Sequence, residues 1–241
     1  MKSITLIFLI LVNVFTFGQE IRIPNNFTEI PVPTSFSRDW YSLNYESESY
    51  PIQESKGKLI IEKKEKGHRT DLEIEGGKLI GIDDGEWGGG LYFRTKNLQE
   101  KLVEIKPGNI VDIFTFNDKI YFTQGLAHMG INEGALYELK RIKNKLTYTK
   151  IADLGDAPAA ITSLKNKIFI ISFKNFYEID IGNNNKVTKI FENQFWEGLY
   201  PNSIVAFDER NIFAGMRSGI LKINLIDKTM KFYRKTALKT N

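Results

Sequence analysis

The sequence predicts an all-β fold, and three observations carry that expectation. Apolar residues come in short, alternating runs, while the 3.6-residue period of an amphipathic helix is almost absent. Gly, Asn, Asp and Lys punctuate those runs at hairpin spacing. The runs also repeat. Four turn-plus-strand units align: Gly77-Lys78-Leu79-Ile80, Asp118-Lys119-Ile120-Tyr121, Asn166-Lys167-Ile168-Phe169 and Arg210-Asn211-Ile212-Phe213. From Lys78 to Lys119 to Lys167 to Asn211 the steps are 41, 48 and 44 residues.

Each unit holds more than a turn. An apolar strand precedes it at 72–74, 111–116, 160–164 and 204–207. A third strand follows a loop, at 91–93, 136–139, 176–181 and 220–225. A fourth closes each unit, at 102–105, 146–151, 187–191 and 230–233. Four antiparallel strands in roughly 40–50 residues is the size of a β-propeller blade. Residues 19–66 fit less well. Residues 50–53 and 59–62 around Lys56-Gly57-Lys58 read as the outer hairpin of a degenerate first blade, with 40–45 as its second strand and 27–33 as its first. The expected fold is therefore a single β-propeller domain over 19–241, with five blades. Four blades with 19–66 as an N-terminal arm is the alternative count.

The last unit, "GLYPNSIVAFDERNIFAGMRSGILKINL" (198–225), carries a resemblance. It resembles a blade of the two-component regulator propeller repeat family. Leu199, Asn202, Ser203, Ile204, Asp208, Ile212, Phe213, Gly215, Gly219 and Ile220 match that repeat. Phe213 stands where the repeat usually has Trp, and Asn211 where it usually has a turn Gly. The other units match loosely. The resemblance implies a propeller fold, a binding role, and a place in sensor ectodomains or free-standing bacterial surface or periplasmic proteins.

The N-terminus and the composition set the compartment. Lys2 supplies a positive start, residues 4–15 are apolar except Thr5 and Asn13, and Thr16 and Gly18 occupy the small-residue positions of a cleavage site before Gln19. This is the pattern of a secretory signal peptide over 1–18, too short in its apolar part to span a bilayer. The expectation is an exported chain, periplasmic or extracellular, without membrane insertion after signal removal. With no Cys, neither disulfides nor a lipid-modified Cys are available, so stability must come from burial. The remaining chain of about 220 residues is long enough for that. The net charge is +4, from 33 basic and 29 acidic residues. The basic residues are scattered, which argues against a nucleic-acid partner.

In a propeller, the loops between second and third strands share a face with the connectors between blades. Here those two classes hold the unusual residues: Glu86, Trp87, His128, Asp156, Trp196, Glu197, Tyr200 and Arg217. The opposite turns, such as Asn117-Asp118 and Lys165-Asn166, are short and plain. Function tends to sit on loops of a rigid scaffold, so these eight residues are the candidate ligand-binding set. "IDDGEWGGGLYF" (82–93) belongs to this face. Its glycines lead into a strand rather than a helix, which rejects a phosphate-binding loop. Its acidic residues lack the spacing of a calcium loop. It reads as a glycine turn holding Trp87 at the rim.

Catalytic signals are thin. No Gly-x-Ser-x-Gly and no His-x-x-x-His occur, so no catalytic residues, metal ligands or cofactor are assigned. The reading is a binding or interaction protein for a protein, peptide or glycan, more consistent with binding than with catalysis. The alternative is a hydrolase or lyase that uses carboxylates drawn from Glu86, Asp156 and Glu197, with His128, at the channel mouth.

Overall fold

The computed structural model describes residues 21–62, 67–96, 102–143 and 145–236. The expected signal segment lies outside the described residues. The chain opens with β1 (Phe27–Ile30), a short helix α1 (Arg38–Asn44), and a hairpin of β2 (Ile52–Ser55) and β3 (Lys58–Ile61). Four meanders follow. The first is β4 (Arg69–Ile74), β5 (Gly77–Asp83), β6 (Gly89–Thr95) and β7 (Leu102–Pro107). The second is β8 (Ile110–Phe116), β9 (Lys119–His128), β10 (Ile131–Ile142) and β11 (Lys145–Asp153). The third is β12 (Pro158–Leu164), β13 (Lys167–Ser172), β14 (Phe176–Asp180) and β15 (Lys186–Phe191). The fourth is β16 (Ser203–Asp208), β17 (Asn211–Met216), β18 (Gly219–Asn224) and β19 (Thr229–Lys235).

In each meander, successive strands pair antiparallel in chain order. The first strands lie side by side: β4 contacts β8, β8 contacts β12, β12 contacts β16, and β16 contacts β2. This is an all-β, repeated arrangement consistent with a propeller-like fold. The hairpins follow from local chemistry. Asn117 and Asp118 between β8 and β9 adopt φ of 48° and 59°, the primed-turn geometry that Asn and Asp tolerate.

The packing follows from the two-residue period of a strand. In β13, Phe169 and Ile171 enter a core shared with the fourth sheet, while Ile168 and Ile170 enter one shared with the second. In β17, Ile212, Ala214 and Met216 face the third sheet, and Phe213 faces the β2–β3 hairpin with Tyr50, Ile52 and Leu59. Both strands are thus buried on both faces, and their middle residues are apolar at consecutive positions. Each fully buried large side chain contributes about 1.5–3 kcal/mol relative to exposure.

The N-terminal region departs from expectation in three ways. Residues 27–33 do not open a blade of their own. β1 instead pairs with β19, from Phe27 opposite Lys235 to Ile30 opposite Phe232, and makes the fourth sheet five-stranded. The β2–β3 hairpin does not take an outer position, because β2 packs beside the first strand β16. Gly215 admits this approach: a Cβ there would lie 2.1 Å from the Tyr50 carbonyl oxygen. Residues 40–45, expected as a strand, belong to α1 and its C-cap. Ser37 is its N-cap, with Oγ accepting from the Trp40 N–H at 3.2 Å. Trp40 and Leu43, three apart, are its buried residues. A seven-residue helix is not stable alone, so the burial of these two side chains is what holds it.

Candidate functional site

α1 sits over the β15–β16 connector and the β17–β18 turn. The Trp40 indole N–H donates to the Phe195 carbonyl at 2.6 Å, and the Ser218 hydroxyl donates to the Leu43 carbonyl at 2.6 Å. Both contacts join α1 to the loop classes assigned to one face. A cleft of about 230 Å³ gathers those classes further: Asp83, Gly85, Leu126, Pro158, Phe173 and Tyr200 line it. They come from the first three meanders and the connector that leads into the fourth.

The 83–89 turn is built by its glycines. Gly85 N–H donates to Asp83 Oδ1 at 3.1 Å, and Gly88 N–H to the Gly85 carbonyl at 3.0 Å, closing a 3-10 turn over Gly85–Trp87. Gly89 has φ of 157°, and a Cβ there would lie 2.1 Å from the Ile82 carbonyl oxygen. Only glycine fits. The Asn109 side-chain amide donates to the Gly85 carbonyl at 2.7 Å and ties the turn to the β7–β8 connector. The turn presents Trp87, which is 85% exposed.

His128 stands opposite. β9 and β10 run on to a tight turn at Met129-Gly130, where φ is 46° and 86°, so the connection that carries His128 is strand almost to its tip. This long hairpin brings His128 Nε2 to 2.8 Å from Glu86 Oε2. The approach is in ion-pair range but lacks hydrogen-bond alignment. Met129 and Ile131 beside it are 91% and 51% exposed.

The remaining candidates divide. Tyr200 is exposed, and the Arg217 guanidinium lies 4.6 Å from its ring centroid. Arg217 Nη1 donates to the Asn44 carbonyl at 2.9 Å and to its Oδ1 at 3.1 Å, which fixes the cation under the end of α1. Glu197 is half-buried in the 195–199 turn. Two residues correct the expectation of a rim position. Trp196 is fully buried; its indole N–H donates to the Ser172 carbonyl at 3.1 Å, and α1 covers the connector that carries it. Asp156 is fully buried too. Its carboxylate accepts from Asn132 Nδ2 at 2.6 Å, Asn175 Nδ2 at 2.7 Å, the Lys174 N–H at 3.2 Å and the Ser172 hydroxyl. That web crosslinks the β9–β10 hairpin, the β11–β12 connector and the β13–β14 loop. Nearby, burial and the Asp156 charge push the Tyr177 hydroxyl up to about 12, and it donates to the Leu154 carbonyl at 2.7 Å.

Sequence reasoning missed the aromatics of the helical segment. Tyr45 is 82% exposed, Phe36 is 56% exposed, and Tyr41 stacks on Tyr45 at 6.0 Å. Ser37 followed by Asp39 and the Trp40/Leu43 spacing was the available signal for this helix. Asn109 and Gln124, which line a second cleft, had none. Among the described residues no three His, Asp or Glu side chains converge as a metal site, and no helix is long and apolar enough to cross a membrane.

No family model matches the chain, and no curated protein matches it. Among solved structures it is similar to the computationally designed Ika4 protein in its crystal structure, with a TM-score of 0.42 and 9% identity. That similarity covers 71% of this chain and 94% of the designed one.

Proposed function

We propose that this chain is an exported binding module built as a closed five-bladed propeller. In this reading the β2–β3 hairpin is a reduced first blade. The loop-rich face recognises a protein, peptide or glycan. The order of first strands, β2 beside β16 and then β12, β8 and β4, supports a radial count of five. The likeness of 198–225 to the two-component regulator propeller repeat supports the same reading and an extracytoplasmic role.

The observation that carries the function is the exposure of the aromatics on this face, set against the burial of Asp156. Trp87, Tyr200 and Tyr45 are exposed, while the buried Asp156 is saturated with donors. Trp, Tyr and Arg are the residue types most often found as binding hot spots. Asp156, spent on its donors, drops out of the carboxylates a hydrolase would use, which leaves Glu86 and Glu197 for that alternative.

The test is binding of the wild-type chain, Trp87→Ala and Tyr200→Ala to glycan and peptide arrays. The expected result is binding to one ligand class, weakened about tenfold or more by either substitution, the scale of a hot-spot truncation. Binding that neither substitution alters would overturn this assignment of the face.

A further inference from the structure

The β2–β3 hairpin stops where the other sheets continue. In each meander the second strand carries a third on its far edge: β6 on β5, β10 on β9, β14 on β13 and β18 on β17. β2 lies beside the first strand β16, so β3 holds the second-strand position. Residues 62–68 alone separate β3 from β4, too short a run for two further strands of ordinary length. Among the described residues, β3 therefore pairs along one edge only.

The other edge can be assigned residue by residue. The Glu62 N–H donates to the Pro51 carbonyl at 2.7 Å, and the register sets Ile60 opposite Gln53 and Lys58 opposite Ser55. Hydrogen-bonded pairs alternate along an antiparallel ladder, so the N–H and C=O groups of Leu59 and Ile61 point away from β2. Ile52, opposite Ile61, obeys the same alternation: its N–H donates away from β3, to Ser203 Oγ at 2.8 Å. A cavity of about 650 Å³ opens along Gly57, Lys58 and Leu59, and residues 21–25 form its opposite wall. Ile21 and Ile23 pack on the apolar cluster of Leu59, Tyr50 and Phe213, while Arg22 between them is exposed. That alternation is the two-residue period of extended chain. Ile21, Arg22 and Ile23 make no backbone hydrogen bond among the described residues. The cavity thus lies between two extended segments with unpaired backbone, a template for strand pairing.

The side chains set the chemistry of an occupant. On the side of Ile21, Ile23 and Leu59 the walls are apolar. Arg22, Lys56 and Lys58 are exposed and have no carboxylate partner among the described residues. Glu54, the acid of the hairpin, accepts from the Gly57 N–H at 2.6 Å. Successive side chains of a strand point to opposite faces, so a strand lying here would set apolar residues toward Leu59 and the residues between them toward Arg22 and Lys58.

We propose that the slot between β3 and residues 21–25 takes an extended strand donated by a partner protein, with alternating apolar and acidic residues. Main-chain pairing supplies the affinity and the alternate side chains the selectivity, as in other cases of strand addition. The inference rests on the place of β2 beside β16, not on the ligand of the loop-rich face.

The experiment is an NMR titration of the labelled wild-type chain, following the Leu59 and Ile61 backbone amides. The probe is the capped heptapeptide Val-Glu-Val-Glu-Val-Glu-Val. Its controls are the same peptide N-methylated at alternate amides and the peptide with Lys in place of Glu. The acidic peptide should shift both amides saturably and slow their hydrogen exchange about tenfold or more. N-methylation keeps the side chains but removes ladder donors, and should weaken binding about tenfold or more, the scale of one or two hydrogen bonds. The Lys peptide should bind more weakly than the acidic one, and the double variant Arg22→Glu/Lys58→Glu should reverse that order. Trp87→Ala should bind the acidic peptide like the wild type, so this inference and the function above fall separately. The proposal is overturned if the acidic peptide leaves both amides unmoved, or if the N-methylated or Lys peptide binds the wild type equally well. Amides already slow to exchange in the free monomer would mean that the chain fills the slot itself. Protection that appears only with dimerisation, followed by sedimentation, would give the slot to a second copy. Either result would also overturn the proposal.

Discussion

Trp196 and Trp87 lie in the same loop classes, yet their replacement should have opposite consequences. Trp196 is fully buried, packs edge-on to Phe195 at 5.8 Å, and donates to the Ser172 carbonyl. Truncating a buried Trp to Ala costs about 3–5 kcal/mol, and losing its hydrogen bond adds about 1 kcal/mol. We expect Trp196→Ala to lose about 4–5 kcal/mol, a large share of the roughly 5–15 kcal/mol typical of a folded domain. For a chain of this size that lowers Tm by roughly 10–15 °C. Trp87, at 85% exposure, has almost no packing to lose. Its replacement by Ala should stay within about 0.5 kcal/mol of the wild type. The assay is urea unfolding of all three chains, comparing midpoints at unchanged slope. If Trp196→Ala lies within about 1 kcal/mol of the wild type, the indole does not hold the connector to the core and the reasoning fails. A large loss in Trp87→Ala would mean that its turn is structural rather than presented for contact.

Two further outcomes follow from the structure and the sequence. The Tyr177 pKa is raised from 10.0 to about 12, so between those values the folded chain keeps a proton that the unfolded chain releases, and stability falls as pH rises. Urea midpoints should drop across that window, and Tyr177→Phe should flatten the drop while costing about 1 kcal/mol at neutral pH through the lost bond to the Leu154 carbonyl. An unchanged alkaline slope in Tyr177→Phe would remove the residue from that account. Intact-mass measurement of exported protein should show a chain beginning at Gln19; a species retaining Lys2 would count against the signal-peptide reading.

The strand repeat was legible because it is written in local chemistry. Alternation of two, turns such as Asn117-Asp118, and the recurrence of Lys-Ile-aromatic motifs do not depend on distant residues. They led to all sixteen strands of the four meanders, β4 to β19. The shared face of the loops was legible for a related reason, since alternating strand direction sends every second connection to the same side. The glycines of "DDGEWGGG" also disclosed their role, because a turn with φ of 157° at Gly89 is a property of the backbone itself.

What the tertiary structure alone decided was which loop residues are covered. Trp87 and Trp196 look equivalent in sequence, but α1 lies over the connector of one and nothing packs comparably over the other. The helix itself exists because Trp40 and Leu43 find a pocket beside Phe195 and Trp196, a partnership across about 155 residues that a seven-residue window does not show. β1 joins β19 for the same kind of reason: an edge strand takes whichever unpaired edge the fold brings to it. Asp156 was legible as an acidic loop residue, but its four donors come from the β9–β10 hairpin and the β13–β14 loop, so its burial is a product of assembly. Periodicity is a property of neighbours in the chain, and sequence determined it; coverage is a property of neighbours in space, and only the fold set it.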